Sequence, residues 1–280
     1  MAQKYPQYRD VGYFYKQMLA ETLRPGMSIL SAGCGAGFYV PEYFDQSKYF
    51  IVGVDAQKNL LVDNEFLENI IISDLTDLPL SENSFDLVVS EWVFEHIAEP
   101  EKVLRQFSRI LRPGGRVVFM TSHLWSPIML ASKLLPTAIH RTIRKQLLSV
   151  NDADTFRTYY RMNTQQDLER HFTKAGFINK NLLFASALNY FRFHRVALYA
   201  ASSVDRLSVS RYGNFLRPHI AGVYESSKER DSSARNADVY QCQDCGTKMV
   251  YEFQFLRCST CNKEYPARIH QPSYVSNIHF

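Results

Sequence analysis

A chain of 280 residues, 46% hydrophobic and 21% charged, has room for one domain of ordinary size plus a small module. Its net charge of +4 permits an acidic partner without arguing for one. No apolar run follows the basic residues of the N-terminus, and no stretch of about 18 uncharged apolar residues occurs. Neither a secretory leader nor a membrane span is therefore expected, and the chain reads as cytoplasmic. The 19 Phe and 17 Tyr predict aromatic-rich packing or an aromatic-lined pocket.

In chain order, a helical pattern covers 11–23 and ends at Arg24-Pro25-Gly26, a stop signal. A short apolar run at 27–30 then meets Ser31-Ala32-Gly33-Cys34-Gly35-Ala36-Gly37, a strand feeding a glycine loop, and a helical segment follows at 38–44. Buried strands are predicted at 49–54, closing on Asp55, at 69–72, closing on Asp74, and at 85–90, leading into Glu91-Trp92-Val93-Phe94-Glu95-His96. A helix at 101–111, a turn at Arg112-Pro113-Gly114-Gly115 and a strand at 116–121 complete this stretch. Residues 124–163 interrupt the alternation as a helical insertion. A helix at 164–175, a strand at 177–184, a helix at 189–207 and a last strand at 219–224 follow. Short apolar strands alternating with helices predict a parallel sheet covered on both faces. The polar segment 225–238, ESSKERDSSARNAD, has little to bury and reads as a linker between a domain at 1–224 and a module at 239–270, with a tail at 271–280.

Three glycines after a strand let the backbone turn sharply and approach a ligand, and the following helix presents free amides. Alone, Gly33-x-Gly35-x-Gly37 suits several nucleotide-type ligands, but the longer spacing of a pyrophosphate loop is absent. Asp55, with Ala56 beside it, ends the next strand, where a carboxylate can accept from both hydroxyls of a ribose. Asp74 ends the third, placed to accept from an adenine amino group while the Leu75 amide meets the ring. Cys34 reads as a small packing residue, and Asp86 as a group that orients a turn or cap.

The run at 73–88, SDLTDLPLSENSFDLV, together with Glu95-His96-Ile97, Pro100 and the Leu111-Arg112-Pro113-Gly114-Gly115 turn, resembles the class I S-adenosylmethionine-dependent methyltransferases of the broad small-molecule type. The resemblance covers about residues 26–122. It implies an α/β, Rossmann-like seven-stranded sheet whose last strand is antiparallel, with S-adenosylmethionine at the carboxyl ends of the strands. Ser31 stands where the family usually carries an acid near the methionine ammonium. That end of the cofactor is then expected on carbonyls of the glycine loop or on Ser90 and Glu91.

A sulfonium methyl is already a good electrophile, so the protein has mainly to align a nucleophile and exclude water. A base is needed only for an acceptor protonated at neutral pH. His123, just after the fifth strand, and His96 are the candidates, with an ordinary hydrogen-bonded pocket wall as the alternative for each. Tyr160, next to Tyr159, is a candidate roof for the acceptor pocket or a core residue. Residues 13–15 are a candidate lid over the cofactor. In the insertion, an apolar stretch at 127–139 runs into His140-Arg141-x-x-Arg144-Lys145, which suits a lipid-linked acceptor or a pair of buried helices with a solvated basic end. Residues 124–223 are similar to bacterial methyltransferases of natural-product or cell-envelope glycan modification.

Cys242-x-x-Cys245 and Cys258-x-x-Cys261, each on a tight turn, give four thiolates for one tetrahedral ion. Structural zinc is expected, because four thiolates leave no open position for catalysis. The segment 256–266 is similar to the zinc-ribbon activator proteins that partner tRNA, rRNA and protein methyltransferases. That resemblance implies a ribbon that adds a strand to the enzyme's sheet, here in cis. An RNA methyltransferase gripping its substrate through the ribbon, and a non-catalytic cofactor-binding scaffold, are the competing readings. Against the first, the ribbon has four basic residues, Lys248, Arg257, Lys263 and Arg268, against the acidic Asp244, Glu252 and Glu264.

Overall fold

The computed structural model describes residues 10–35, 40–42, 44–59, 64–126, 157–185, 217–229 and 239–270. The expected helix at 189–207, most of the helical insertion, the third loop glycine Gly37, the linker from 230 onward and the tail lie outside them.

Helix α1 (Val11–Thr22) starts where the Asp10 side chain accepts from the Tyr13 amide at 2.8 Å, and it stops before Pro25 and Gly26. Helix α2 (Pro100–Ile110) has proline in its first turn and buries Val103, Leu104, Phe107 and Ile110, one face of a 3.6-residue repeat. Helix α3 (Gln165–Lys174) is closed at its start by a reciprocal pair: Thr164 Oγ1 accepts from the Asp167 amide at 3.1 Å and donates to its carboxylate at 2.7 Å. Gly176, at φ +82°, ends it.

Strands β1 (Ser28–Ala32), β2 (Phe50–Asp55), β3 (Asn69–Ile72), β4 (Phe85–Glu91) and β5 (Leu111–Ser122) run parallel in the order β3-β2-β1-β4-β5. Strands β6 (Phe177–Ala185) and β7 (His219–Ser226) complete that side, with β7 antiparallel to both neighbours. The first three strands are buried along nearly their whole length, as a sheet covered on both faces requires. Behind β5 the aromatics do pack together: the Phe172 and Tyr224 rings stack at 4.0 Å, and Phe119 lies 4.7 Å from Phe94.

Two expectations need correction. Among the described residues the sheet has ten strands, not seven, because β10 (Glu264–Arg268), β9 (Phe255–Cys258) and β8 (Met249–Glu252) continue it beyond β3. Strand β3 would otherwise be an edge with a free hydrogen-bonding row, and β10 pairs with it antiparallel through Ala267 opposite Ile71 and Arg268 opposite Ile70. The second correction is at 112–115. These four residues sit opposite Asp86 alone, as an irregularity within β5, with Gly114 at φ +73°. Asp86 holds this kink by pairing with Arg112 at 2.6 Å while accepting from the Ser28 amide at 2.8 Å.

Strand β7 also extends past 224, into the segment read as linker. Glu225 pairs with Arg116 at 2.9 Å and Lys180 at 3.0 Å. Lys228 donates to Asn83 Oδ1 at 2.8 Å and to the carbonyls of Leu111 at 2.7 Å and Arg109 at 3.1 Å, so the chain is tied down through 228. The 239–270 module then packs its Val239, Tyr240, Leu256, Tyr265, Ala267 and Ile269 into the same core as Val52, Ile71, Leu78 and Leu80.

Candidate cofactor crevice and four-cysteine cluster

The chain leaves β1 toward β2 and β3 on one side, and returns to β4 and β5 on the other. Open α/β sheets bind ligands at such a switch point, outside the carboxyl ends of the strands. The glycine loop after β1 and the Ser90–Glu91 pair at the end of β4 both lie at this point.

Gly33 is at φ +68°, and its amide and that of Cys34 both donate to the Val54 carbonyl, at 2.8 and 3.2 Å. A Cβ on Gly33 would come within 2.4 Å of Val93 Cγ2, so the position requires glycine twice over. Gly35, at φ +46°, has open space where a Cβ would be, among the described residues. Its amide donates to Asp55 Oδ2 at 3.1 Å, while Asp55 Oδ1 accepts from the Gln57 amide at 3.1 Å. Each Asp55 oxygen keeps a second lone pair for an outside donor. Ala56 follows at the end of β2. Cys34 is buried against Gly53, and burial pushes its thiol up to about 12, so it packs rather than reacts.

Beyond β3, the exposed Asp74 accepts from the Thr76 amide at 2.8 Å and the Thr76 hydroxyl at 2.6 Å, which fixes the turn that carries the half-buried Leu75. Ser90 is buried, and its Oγ has no hydrogen-bond partner among the described residues. Glu91 sits beside Tyr15 of α1; burial and then the Glu91 charge raise that phenol well above its ordinary value. Of the three lid candidates, Tyr15 is therefore a core residue, Phe14 is half-buried and Tyr13 is exposed.

The three catalytic candidates do not line one concavity. His123 is buried, with Nδ1 2.8 Å from the Arg217 carbonyl. A carbonyl only accepts, so the proton sits on Nδ1 and Nε2 is left as a base. Burial lowers the ring's pKa, and the Arg217 contact partly opposes this. It lines an open concavity of about 470 Å³ with Trp125, Thr164, Gln166, Glu169 and Phe184. Tyr160, at φ +52°, lines a different concavity, among Glu99 just before α2, Lys102 and Arg105 of α2, and Arg170 of α3. His96 is half-buried and its Nδ1 lies 3.1 Å from the Arg157 carbonyl, an anchor for the end of the insertion.

Sequence reading passed over Glu95 and Asn64. The buried Glu95 carboxylate accepts from Thr121 Oγ1 at 2.7 Å and Ser122 Oγ at 3.1 Å, and Asn163 donates to Thr121 Oγ1 at 2.8 Å. This network ties the end of β5 to Asn163, the last residue of the insertion. Asn64 accepts from the Leu67 amide at 2.9 Å and donates to the Gly35 carbonyl at 2.7 Å. Nothing in its local sequence marks it.

In the ribbon, all four sulfurs of Cys242, Cys245, Cys258 and Cys261 lie within 4.8 Å of one another. The two halves repeat one backbone pattern. The Gly246 amide donates to the Cys242 carbonyl at 3.0 Å and the Asn262 amide to the Cys258 carbonyl at 3.0 Å, with Gly246 and Asn262 both at positive φ. Such turns point their two thiols the same way, toward one ion.

Residues 30–119 match the methyltransferase domain family. The chain is 32% identical over 117 residues to phosphoethanolamine N-methyltransferase 3 of Arabidopsis thaliana, a match to 38% of this chain and 23% of that one. It is 26% identical over 190 residues to the demethylmenaquinone methyltransferase of Chlamydia pneumoniae, covering 62% and 82%. The chain spans only 20% to 34% of the length of the first four curated relatives it matches. Among solved structures, a Listeria monocytogenes protein of the S-adenosylmethionine-dependent methyltransferase class superposes with a TM-score of 0.52 at 11% identity, over 77% of this chain and 99% of that one. A chain of the Haloferax volcanii complex between a methyltransferase activator and its methyltransferase superposes with a TM-score of 0.51 at 14% identity, over 82% and 94%. Identities this low speak for the fold alone. Over residues 30–119 the sequence matches a methyltransferase domain, and the strand order with the glycine loop at the switch point agrees with the fold of that class.

Proposed function

We propose that the chain transfers the methyl group of S-adenosylmethionine to a small-molecule, natural-product or lipid- or glycan-linked acceptor. The observation that carries this reading is the Gly35–Asp55 contact at the switch point, with spare lone pairs on Asp55 and, among the described residues, open space where a Gly35 Cβ would lie. When bound, S-adenosylmethionine supplies an electrophilic sulfonium methyl. Asp55 accepts from the ribose hydroxyls, and Gly33, Gly35 and Gly37 let the backbone approach. Asp74 and the Leu75 amide take the adenine edge. The buried Ser90 hydroxyl and Glu91 take the ammonium end, in place of the acid that Ser31 does not provide. His123 Nε2 removes the acceptor's proton where the acceptor carries one. Depressed by burial, it is neutral and competent at pH 7.

Calorimetry with S-adenosylhomocysteine tests the pocket. Wild type should bind and Asp55→Ala should lose at least about tenfold, since a carboxylate accepting two hydroxyls contributes more than about 1.5 kcal/mol. Equal affinity in the two proteins would remove Asp55 from the site and the reading with it.

The ribbon's four sulfurs suit structural zinc. Zinc–sulfur bonds of about 2.3 Å set tetrahedral sulfurs roughly 3.8 Å apart, and the observed Cys242–Cys261 and Cys245–Cys258 separations are 3.5 and 3.3 Å. The ribbon's role in this reading is to cover the β3 edge in cis. Beyond the β10 pairing, Tyr265 Oη donates to Asp77 at 2.9 Å, Lys263 pairs with the same carboxylate at 3.0 Å, and the Ser81 amide donates to the Val239 carbonyl at 2.7 Å.

A further inference from the structure

Gly35 is held from both sides. Its amide reaches Asp55, and its carbonyl accepts from Asn64 Nδ2 at 2.7 Å. Asn64 is fully buried, and its Oδ1 accepts from the amides of Phe66 at 3.0 Å and Leu67 at 2.9 Å, so its side-chain orientation is determined. The backbone carbonyl of this same Asn64 accepts from Arg268 Nη2, which also donates to the Leu67 carbonyl at 2.6 Å. Arg268 is not part of the methyltransferase domain. It lies on β10, in the strand that the ribbon contributes to the sheet. The guanidinium is also close enough to the glycine loop for its charge to offset part of the burial that raises the Cys34 thiol.

We infer that Arg268 is a positioning residue for the cofactor loop: it clamps the 64–67 turn and, through Asn64, holds the Gly35 carbonyl, so the ribbon sets the order of that loop. Both bonds come from the two hydrogens of the one Nη2, which the planar guanidinium holds in a fixed direction at the reach of an arginine side chain; the shorter, freely rotating ammonium of a lysine is not held there. The ribbon thereby acts on the site rather than only closing an edge. The inference rests on reading Gly33–Gly35 as the cofactor loop, but the clamp itself can be measured without any cofactor.

The experiment compares amide hydrogen exchange at 33–35 and 64–67 in the full-length, zinc-loaded, cofactor-free chain for wild type, Arg268→Ala, Arg268→Lys and Gln243→Ala. Gln243 supports the ribbon elsewhere, exchanging hydrogen bonds with Gln106 at 2.7 and 2.9 Å, and has no link to Gly35 among the described residues. Arg268→Ala should speed exchange at 33–35 by about tenfold or more, the effect of losing one charge-assisted hydrogen bond. Arg268→Lys should lie between, and Gln243→Ala should leave 33–35 at the wild-type rate. S-adenosylhomocysteine affinity should fall about tenfold in Arg268→Ala in parallel. Unchanged exchange at 33–35 in Arg268→Ala, or an equal rise in Gln243→Ala, overturns the inference. Should Arg268→Ala not fold, Arg268→Lys decides: wild-type exchange overturns it and faster exchange supports it. If exchange responds as expected while wild type binds no S-adenosylhomocysteine, the clamp stands and the methyl-transfer reading fails.

Discussion

Replacing each of the two loop glycines with alanine separates a folding requirement from a ligand requirement. Both residues have positive φ, where a Cβ costs about 1–2 kcal/mol. At Gly33 the added carbon would also sit 2.4 Å from Val93 Cγ2, and valine is stiff about χ1, so overpacking adds about 1–3 kcal/mol. At Gly35 the added carbon meets no atom of the described residues within 4 Å. Gly33→Ala should therefore lose about 2–5 kcal/mol and Gly35→Ala only about 1–2. With about 2–4 °C per kcal/mol for a domain of this size, Tm should drop by roughly 5–20 °C in the first and 2–8 °C in the second. The order reverses for ligand: Gly35→Ala places a methyl in the space assigned to the cofactor and should weaken S-adenosylhomocysteine at least about tenfold by calorimetry. Gly35→Ala with wild-type affinity would show that the open space is not where the cofactor lies. Equal Tm losses in the two variants would refute the packing argument.

Three further outcomes follow from other parts of the molecule. Cys258→Ser removes one of four sulfurs and should lower zinc content measured by mass spectrometry, with a Tm drop that chelation of wild type reproduces; full zinc occupancy in the variant would exclude the cluster as the site. Lys228→Ala removes the donor to Asn83 Oδ1 and to the Leu111 carbonyl, while the Arg109 carbonyl keeps the Asn83 amide, and should cost about 1–3 kcal/mol by urea denaturation; no change would mean that water replaces the ammonium. His219, buried against Trp92, has its pKa pushed down to about 4 by burial. It folds neutral, so its contribution is intact above pH 6.5 and is lost as pH falls toward 4, on the order of 3 kcal/mol. His219→Phe should lose less stability than wild type across that window, and parallel pH curves would refute the assignment.

The alternating strands, the glycine loop and the acids closing the second and third strands are legible in the sequence because each is a local signal. A buried parallel strand must be apolar on both faces, and a left-handed turn requires glycine, whatever the rest of the chain does. The same holds for the cysteine quartet, where two short turns prepare each pair before the other is near. The sequence did not reveal how these pieces address one another. Arg268 and Asn64 are 204 residues apart, and only strand pairing at β3 brings the ribbon's guanidinium to the turn that supports Gly35. Glu95 gave no sign that its partners would be the hydroxyls of Thr121 and Ser122 rather than a ligand. Tyr15 looked like a lid because helical spacing cannot tell which face a sheet will cover. The sequence by itself determined the elements and the chemistry each can perform. The tertiary structure decided their partners, since hydrogen bonds between distant residues depend on which strand edges and helix faces are left to be covered once the core has closed.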